Sequence, residues 1–142
     1  MDPVRVTGRL LDTNVLIDLI FARSPHLDAR YVAELHAASP MFISAISVFE
    51  FRFGAERSRR RTLQLSALER FLNSAESIDF DHQDATAAAL LKAELAARGT
   101  PIGAYDLLIA AQAKARGLTI VTGNVREFSR VEGVAVEDWS QP

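Results

Sequence analysis

The chain has 142 residues, of which 49% are hydrophobic, a formal net charge of −2 and no cysteine. This length and composition suit one globular domain with its own core, so we expect a single domain over residues 1–142. The net charge argues against a general electrostatic nucleic-acid binder, and the lack of cysteine excludes disulfides, thiolate catalysis and cysteine-ligated zinc. The first residues have no signal-peptide pattern and no apolar stretch is long enough to span a bilayer, so we expect a cytoplasmic protein without a membrane partner.

Apolar runs and runs of helical periodicity alternate along the chain. Short runs predict strands at residues 9–12, 41–44, 77–80, 118–122 and 134–139. Longer runs predict helices at residues 14–22, 25–39, 45–56, 62–75, 82–99 and 103–117. This alternation predicts an α/β fold with three layers, in which a parallel sheet carries helices on both faces. Ligands of such sheets bind beyond the carboxyl ends of the strands, which directs attention to the strand-to-helix junctions.

Three acidic residues lie in apolar surroundings near such junctions. Asp12 follows the first strand, Glu50 lies among phenylalanines in the helix 45–56, and Asp106 lies in the first turn of the helix 103–117. Each has an ordinary explanation when taken alone. Asp12 could cap a helix, Glu50 could reach past its neighbours to solvent, and Asp106 could interact with the positive end of its helix.

The three acids together favour a bound cation. We expect each of them near the start of a helix, and therefore at one end of the sheet. Two carboxylates about 4 Å apart repel by about 4 kcal/mol at an effective dielectric of 20, so a fold that gathers several needs positive charge between them. The ligands would be oxygens, because cysteine is absent and His26, His36 and His82 are scattered. Oxygen ligands predict Mg²⁺, with Mn²⁺ as a possible substitute.

Several motifs resemble the PIN domain, and specifically the VapC toxins of bacterial toxin–antitoxin pairs. They are "LLDTNVLID" at 10–18, "SAISVFEFRFGAE" at 44–56, "GTPIGAYDLLIAA" at 99–111 and "VTGNVREFSRVEG" at 121–133. The resemblance covers nearly the whole chain and is weakest over 22–40 and 57–80. It implies a parallel sheet with helices on both faces and Mg²⁺-dependent endonucleolytic cleavage of RNA. It also implies that Asp12, Glu50 and Asp106 are the metal-binding acids.

Carboxylate-held Mg²⁺ suits phosphodiester hydrolysis, since the ion can polarise a phosphoryl oxygen and activate a water. No Ser–His–Asp or Cys–His set competes with this interpretation, and "RGTPIG" lacks the lysine and spacing of a nucleotide-binding loop. A haloacid-type phosphatase would need a second aspartate at the position of Asn14. A receiver-type signalling domain would need a lysine after the strand 118–122, and none is present.

The motifs also contain a fourth polar position at the end of the strand 118–122. Many PIN domains have an aspartate where this chain has Asn124, and Glu127 is the available substitute. We expect Glu127 to be catalytic as an outer ligand. An alternative is a capping box, in which Glu127 turns back to the backbone of Asn124. The residues expected to support the acids are Thr13, Asn14, Thr122 and Asn124.

Arginines supply 14 of the 16 cationic residues, and several are candidates for RNA contacts. A run just beyond the Glu50 helix contains Arg57, Arg59, Arg60 and Arg61, and Arg98 lies in a turn on the Asp106 side. Contacts of this kind would neutralise phosphates and make binding sensitive to salt. The alternative is a solvated turn.

The resemblance also implies partners. VapC-like proteins form dimers and larger complexes with a VapB-like antitoxin, whose C-terminal segment covers the active groove. The helix 45–56 is apolar on several sides, which agrees with an outer contact to a second copy or to another protein. The expected substrate is a structured RNA such as tRNA. Two alternatives are a stand-alone PIN nuclease in RNA processing without an antitoxin, and a non-catalytic PIN-like binding module.

Overall fold

The computed structural model describes residues 8–142, and residues 1–7, with most of the segment considered for a signal peptide, lie outside the described residues. Five parallel strands form one sheet in the order β3-β2-β1-β4-β5. The strands are β1 Arg9–Leu11, β2 Met41–Ser44, β3 Glu76–Ile78, β4 Thr119–Val121 and β5 Val136–Glu137. The helices are α1 Thr13–Ile20, α2 Pro25–His36, α3 Ala45–Glu56, α4 Arg61–Phe71, α5 His82–Ala97, α6 Ala104–Arg116 and α7 Val125–Phe128. No helix within residues 8–142 is both long and apolar enough to cross a membrane.

Alternate residues of the central strands separate the core into two layers. Leu10 and Ile120 pack with residues of α5, α6 and α7 on one face of the sheet. Leu11 and Val121 pack on the other face with residues of α1, α2, α3 and α4. Successive side chains of a strand point to opposite faces, and in a sheet covered on both sides they are all apolar. The three-layer α/β prediction is confirmed.

The strand order fixes where a ligand site can form. From β1 the chain moves to β2 and β3 on one side, and later returns to pair β4 with the opposite side of β1. The connections that leave β1 and β4 therefore diverge, and a crevice forms outside their carboxyl ends. This crevice is the topological switch point of the sheet.

The predicted elements differ from the observed ones in several bounds and in one element. The strand expected over 77–80 is β3, Glu76–Ile78, and the helix expected over 62–75 ends at Phe71. The last strand was expected over 134–139, and β5 has two residues, Val136–Glu137. The four-residue helix α7 was not predicted as an element, because one turn is too short to produce a recognisable periodicity. The scattered histidines His26, His36 and His82 are all exposed.

Candidate active site

Asp12 lies at the junction of β1 and α1 and is only 3% exposed. Its Oδ1 accepts a hydrogen bond of 2.8 Å from the backbone N–H of Val15, which makes it the N-cap of α1. Its Oδ2 accepts a hydrogen bond from the hydroxyl of Thr122, which follows β4. Burial raises the pKa of Asp12 to about 6, and the charges of Asp18 and Glu50 act in the same direction. The helix-cap interpretation is therefore correct for one oxygen, but it leaves a buried carboxylate near other negative charges.

Glu50 is the sixth residue of α3, in the second turn, so the expectation that it lies at the start of its helix is wrong. Its Oε1 accepts a hydrogen bond of 2.6 Å from the hydroxyl of Thr13. The Thr13 and Ser47 hydroxyl oxygens are 2.9 Å apart. A hydroxyl has one hydrogen to donate, so Ser47 is the donor to Thr13 when Thr13 donates to Glu50. This chain of hydrogen bonds joins α1 to α3 and places Thr13, one of the residues predicted to support the acids, against Glu50.

Asp106, in the first turn of α6, lies beside Glu127 of α7. Both side chains are close to Gly103, the N-cap of α6. The backbone N–H of Gly103 donates a 2.6 Å hydrogen bond to Oε1 of Glu127. A Cβ added at Gly103 would lie 3.5 Å from that oxygen and 3.6 Å from Oδ2 of Asp106. The pKa of Asp106 is raised to about 7, first by burial and then by the charges of Glu127 and Asp12. The pKa of Glu127 is lowered, mainly by the hydrogen bond from Gly103.

The capping-box alternative for Glu127 is wrong. Asn124 is the N-cap of α7, but its side chain makes no cap hydrogen bond. Instead, Nδ2 of Asn124 donates a 2.5 Å hydrogen bond to Oε2 of Glu127, and the backbone N–H of Asn124 donates to Thr122 at 2.9 Å. The carboxylate of Glu127 therefore points towards Gly103 and Asp106 rather than back to its own helix. Asn14, the remaining supporting residue, is the second residue of α1 and is exposed.

Among residues 8–142 the four carboxylates have little compensation from basic side chains, and the charge of Arg130, which lowers the pKa of Glu127, acts without a direct ion pair. None of the ion pairs between residues 8–142 includes Asp12, Glu50, Asp106 or Glu127. Carboxylate, hydroxyl and amide oxygens are the hard ligands that suit Mg²⁺. Within the described chain, however, no three acidic or histidine side chains stand ready to enclose an ion. Thr13, Thr122 and Gly103 donate hydrogen bonds to oxygens of Glu50, Asp12 and Glu127, respectively. The carboxylates are therefore chemically suitable ligands for the ion, but they do not form a preformed metal site.

The predicted RNA-contacting arginines have different surroundings. Arg57, the C-cap of α3, stacks over the ring of Phe53 at 5.5 Å. It lies seven residues beyond Glu50, which corresponds to about 10 Å along a helix. Arg61 pairs with Glu56 at 2.7 Å, and Arg98 pairs with Glu132 at 2.9 Å. The exposed arginines without an ion pair to another described residue include Arg57, Arg59 and Arg60.

Two residues of the site were missed from the sequence. Ser47 is fully buried and contacts Thr13, and Gly103 binds Glu127 through its backbone N–H. A polar residue one turn before Glu50 on an otherwise apolar helix could have indicated Ser47. The position of Gly103 depends on a contact 24 residues along the chain, which no local pattern indicates.

Comparison with known proteins agrees with this architecture. A model of the PIN domain family matches residues 9–134. The tRNA(fMet)-specific endonuclease VapC of Salmonella typhimurium is 41% identical over 130 residues, covering 92% of this chain and 96% of that protein. Ribonuclease VapC2 of Haemophilus influenzae is 35% identical, with the same coverage of both chains. In the solved structure of DNA-bound VapBC from Salmonella typhimurium, a chain 40% identical matches with a TM-score of 0.86, covering 94% of this chain and 98% of that one. The resemblance expected from the motifs is thus confirmed, and this chain belongs to the PIN-domain family, among the VapC ribonucleases.

Proposed function

We propose that the chain is a single-domain, Mg²⁺-dependent endoribonuclease whose active site comprises Asp12, Glu50, Asp106 and Glu127. The observation that carries this proposal is the group of acids at the carboxyl ends of β1 and β4, which form no ion pair with any basic side chain of residues 8–142. Burial and the like charges of the group raise the pKa of Asp106 to about 7. A divalent cation would relieve this repulsion, and Mn²⁺ is a chemically suitable substitute.

The residues of the site have distinct roles in this proposal. Asp12, Glu50 and Asp106 would hold the ion, which when bound supplies Lewis-acid activation of the phosphoryl group and of a water. Thr122 and Thr13 orient Asp12 and Glu50 by donating hydrogen bonds to their carboxylates. Protons compete with the ion for Asp106, because both bind the same carboxylate oxygens.

Glu127 would act as an outer ligand in this proposal. The hydrogen bonds from Gly103 and Asn124 fix the direction of its carboxylate beside Asp106 and support that role. Asn14 and Asn124 would add amide groups at the rim of the site. Carboxylates held by hydrogen bonds in this way can orient the residues that bind a metal directly, or the water molecules that lie between such residues and the metal.

A structured RNA such as tRNA is the proposed substrate. The relatives of Salmonella typhimurium and Shigella flexneri that match this chain are both named tRNA(fMet)-specific endonucleases. Phosphate contacts would come from the exposed arginines, namely Arg57, Arg59, Arg60, Arg61 and Arg98. Arg59 and Arg60 are the strongest candidates, because Arg61 and Arg98 already pair with glutamates.

A VapB-like antitoxin and a second copy of the chain are the proposed protein partners, within a larger cytoplasmic toxin–antitoxin complex. A groove beside Glu50, lined by residues of α1, α3 and α4, offers a place for an antitoxin segment. Phe49 and Tyr105 are 52% and 46% exposed and pack edge to face at 5.7 Å, a surface suited to self-association. Co-purification with a small DNA-binding protein from an adjacent reading frame would distinguish this proposal from a stand-alone RNA-processing nuclease.

The direct test is cleavage of total tRNA by the purified chain, followed by sequencing of the new 5′ ends. We expect discrete cuts in the presence of Mg²⁺ or Mn²⁺ and none after addition of EDTA. Cleavage that persists unchanged in EDTA would overturn the metal assignment. Protein carrying Asp106→Asn is the control for contaminating ribonuclease.

A further inference from the structure

A cavity of about 320 Å³ opens at the topological switch point, beside the turn after β4. Its walls come from α1, α2, the turn after β4 and the segment after β5. Asn124 lies both in this wall and against Glu127, so the cavity adjoins the active site directly. Its volume falls at the small end of the range of roughly 300–1,000 Å³ for ligand pockets. We call it the switch-point cavity.

The polar part of the wall consists mainly of hydrogen-bond acceptors. Oδ1 of Asp138 accepts from the backbone N–H and the hydroxyl of Ser140, at 2.9 and 2.6 Å, and its other oxygen has no hydrogen-bond partner among residues 8–142. Oδ1 of Asp18 is 3.7 Å from the guanidinium of Arg23, which is too long for a hydrogen bond. Asn124 directs its amide nitrogen to Glu127, which leaves its oxygen for the cavity.

The charge of the wall limits what can enter. Asp18 and Asp138 line the cavity, no arginine or lysine among residues 8–142 does, and Arg23 pairs with Asp18 at 3.7 Å from outside the wall. An RNA phosphate would be repelled there, since like charges are separated by only a few ångströms. A neutral group with N–H donors would instead satisfy the free acceptor oxygens, because leaving polar groups unpaired in a partly buried site costs free energy.

The remaining wall is apolar and mostly covered. Val15, Leu27 and Trp139 form it and are each at most 5% exposed. Arg9 and Arg30 lie over the Trp139 ring, so a base would enter by its edge. Adenine, cytosine and guanine each present an exocyclic amino group at that edge, whereas uracil presents one ring N–H between two carbonyl oxygens that would face the acceptors of the wall. A carboxylate that accepts from a base amino group is an established means of reading a base edge.

We propose that the switch-point cavity binds a nucleobase adjoining the scissile phosphate, one with an exocyclic amino group, through Asp18 and Asp138. The inference rests on the proposed ribonuclease function. Its location supports an RNA base over other donors: the cavity adjoins Glu127 through Asn124, and a base beside the phosphate is the substrate group that would lie next to it. The cavity would thus contribute to the choice of cleavage site.

The test uses short synthetic RNAs based on a mapped cleavage site. The nucleotide on either side of the cut is varied among A, C, G and U, and the preferred purine is also replaced with its deamino counterpart, inosine for guanosine or purine riboside for adenosine. We expect kcat/KM on the order of tenfold higher for the amino base than for uracil or the deamino analogue. In Asp18→Asn and in Asp138→Asn, we expect the preference to shrink to about twofold.

The ratio between RNAs is the decisive quantity, because Asp18 also affects Asp12 and could change the overall rate. Glu94→Gln removes one negative charge from α5, outside the cavity, and we expect it to retain the wild-type ratio. If the protein cuts none of these RNAs, fluorescence anisotropy still measures its preference among them in binding. Failure of the nuclease proposal can therefore be distinguished from failure of the base-binding proposal. Equal ratios in wild type and both variants would overturn the inference. That holds also if Asp18→Asn and Asp138→Asn weaken binding of a protein partner while the base preference stays unchanged.

Discussion

The hydroxyl of Thr122 donates a hydrogen bond to the buried carboxylate of Asp12, which ties the end of β4 to the end of β1. The same hydroxyl accepts from the backbone N–H of Asn124 at 2.9 Å. One side chain therefore orients the central acid and the turn that carries the fourth acidic position. Its loss should affect both the stability of the fold and the charge of Asp12.

Thr122→Val should destabilise the protein by about 1–3 kcal/mol, because it leaves a buried carboxylate with one fewer donor. The hydrogen bond lowers the pKa of Asp12 against the effect of burial, so its removal should raise that pKa above about 6. The destabilisation should therefore be larger at pH 8, where Asp12 is charged, than at pH 5. Urea unfolding of wild type and variant at the two pH values measures this.

The matched control is Thr119→Val, the same change at a buried position in β4, the strand that Thr122 follows. It should show no comparable dependence on pH, because Thr119 makes no side-chain contact with Asp12. If the two variants respond equally to pH, the Thr122–Asp12 hydrogen bond does not determine the charge of Asp12.

Asp106→Asn should become more stable relative to wild type as the pH rises in metal-free buffer. The pKa of Asp106 is raised from 3.8 to about 7, so the folded protein binds this proton more tightly than the unfolded chain does. Such a group stabilises the fold below its unfolded pKa and loses that contribution as the pH rises through its folded pKa. Asparagine does not titrate, so the variant avoids this loss. Melting temperatures of both proteins between pH 4 and pH 8, with EDTA present, give the difference.

The control for this experiment is Asp79→Asn, which removes an exposed aspartate outside the site. The difference in melting temperature between Asp106→Asn and wild type should grow with pH. If it stays constant or reverses across this range, the charged carboxylate of Asp106 does not destabilise the fold.

Much of the fold follows from the sequence, since the apolar strands alternate with amphipathic helices and the parallel sheet is covered on both faces. Asp12 and Asp106 could be identified because a charge in an apolar junction is visible in a short window. The direction of Glu127 could not, because the local pattern is also that of a capping box and the decision depends on Gly103, in a distant loop. Likewise, the pairing of Arg61 with Glu56 depends on how the chain turns between α3 and α4.

Glu127→Gln should lower the rate of RNA cleavage and raise the Mg²⁺ concentration needed for half-maximal activity. Glutamine can still accept the hydrogen bond from Gly103, so the local structure should persist, but it lacks the negative charge beside Asp106. That charge raises the pKa of Asp106, so the activity of the variant should also extend to lower pH. Cleavage rates measured over Mg²⁺ concentration and pH test the prediction.

Glu132→Gln, on the exposed partner of Arg98, is a charge-matched control for Glu127→Gln. Wild-type metal and pH dependence in Glu127→Gln would mean that Glu127 does not contribute to metal binding, and that the site has three acids.

Replacing Arg59 and Arg60 with glutamine should weaken RNA binding and reduce its dependence on salt. Each phosphate contact contributes about 0.7–0.9 to the slope of log K against log salt, so the loss of two contacts should lower the slope by about 1.4–1.8. Anisotropy titrations of a labelled tRNA in Asp106→Asn protein, at several salt concentrations, measure binding without cleavage. Arg70→Gln, on α4, is the control, and an unchanged slope in the double variant would identify the run as a solvated turn.

Mg²⁺ binding and RNA cleavage, measured on the same preparations of wild type, Asp12→Asn and Asp106→Asn, test the central claim most directly. Calorimetric titration should show Mg²⁺ binding to wild type that is strongly weakened in both variants, and tRNA cleavage should be lost in parallel. Circular dichroism should show that both variants remain folded, since asparagine keeps the shape of aspartate. Full, EDTA-sensitive cleavage by either folded variant, or unaltered Mg²⁺ binding in both, would contradict the assignment of these acids to the metal site.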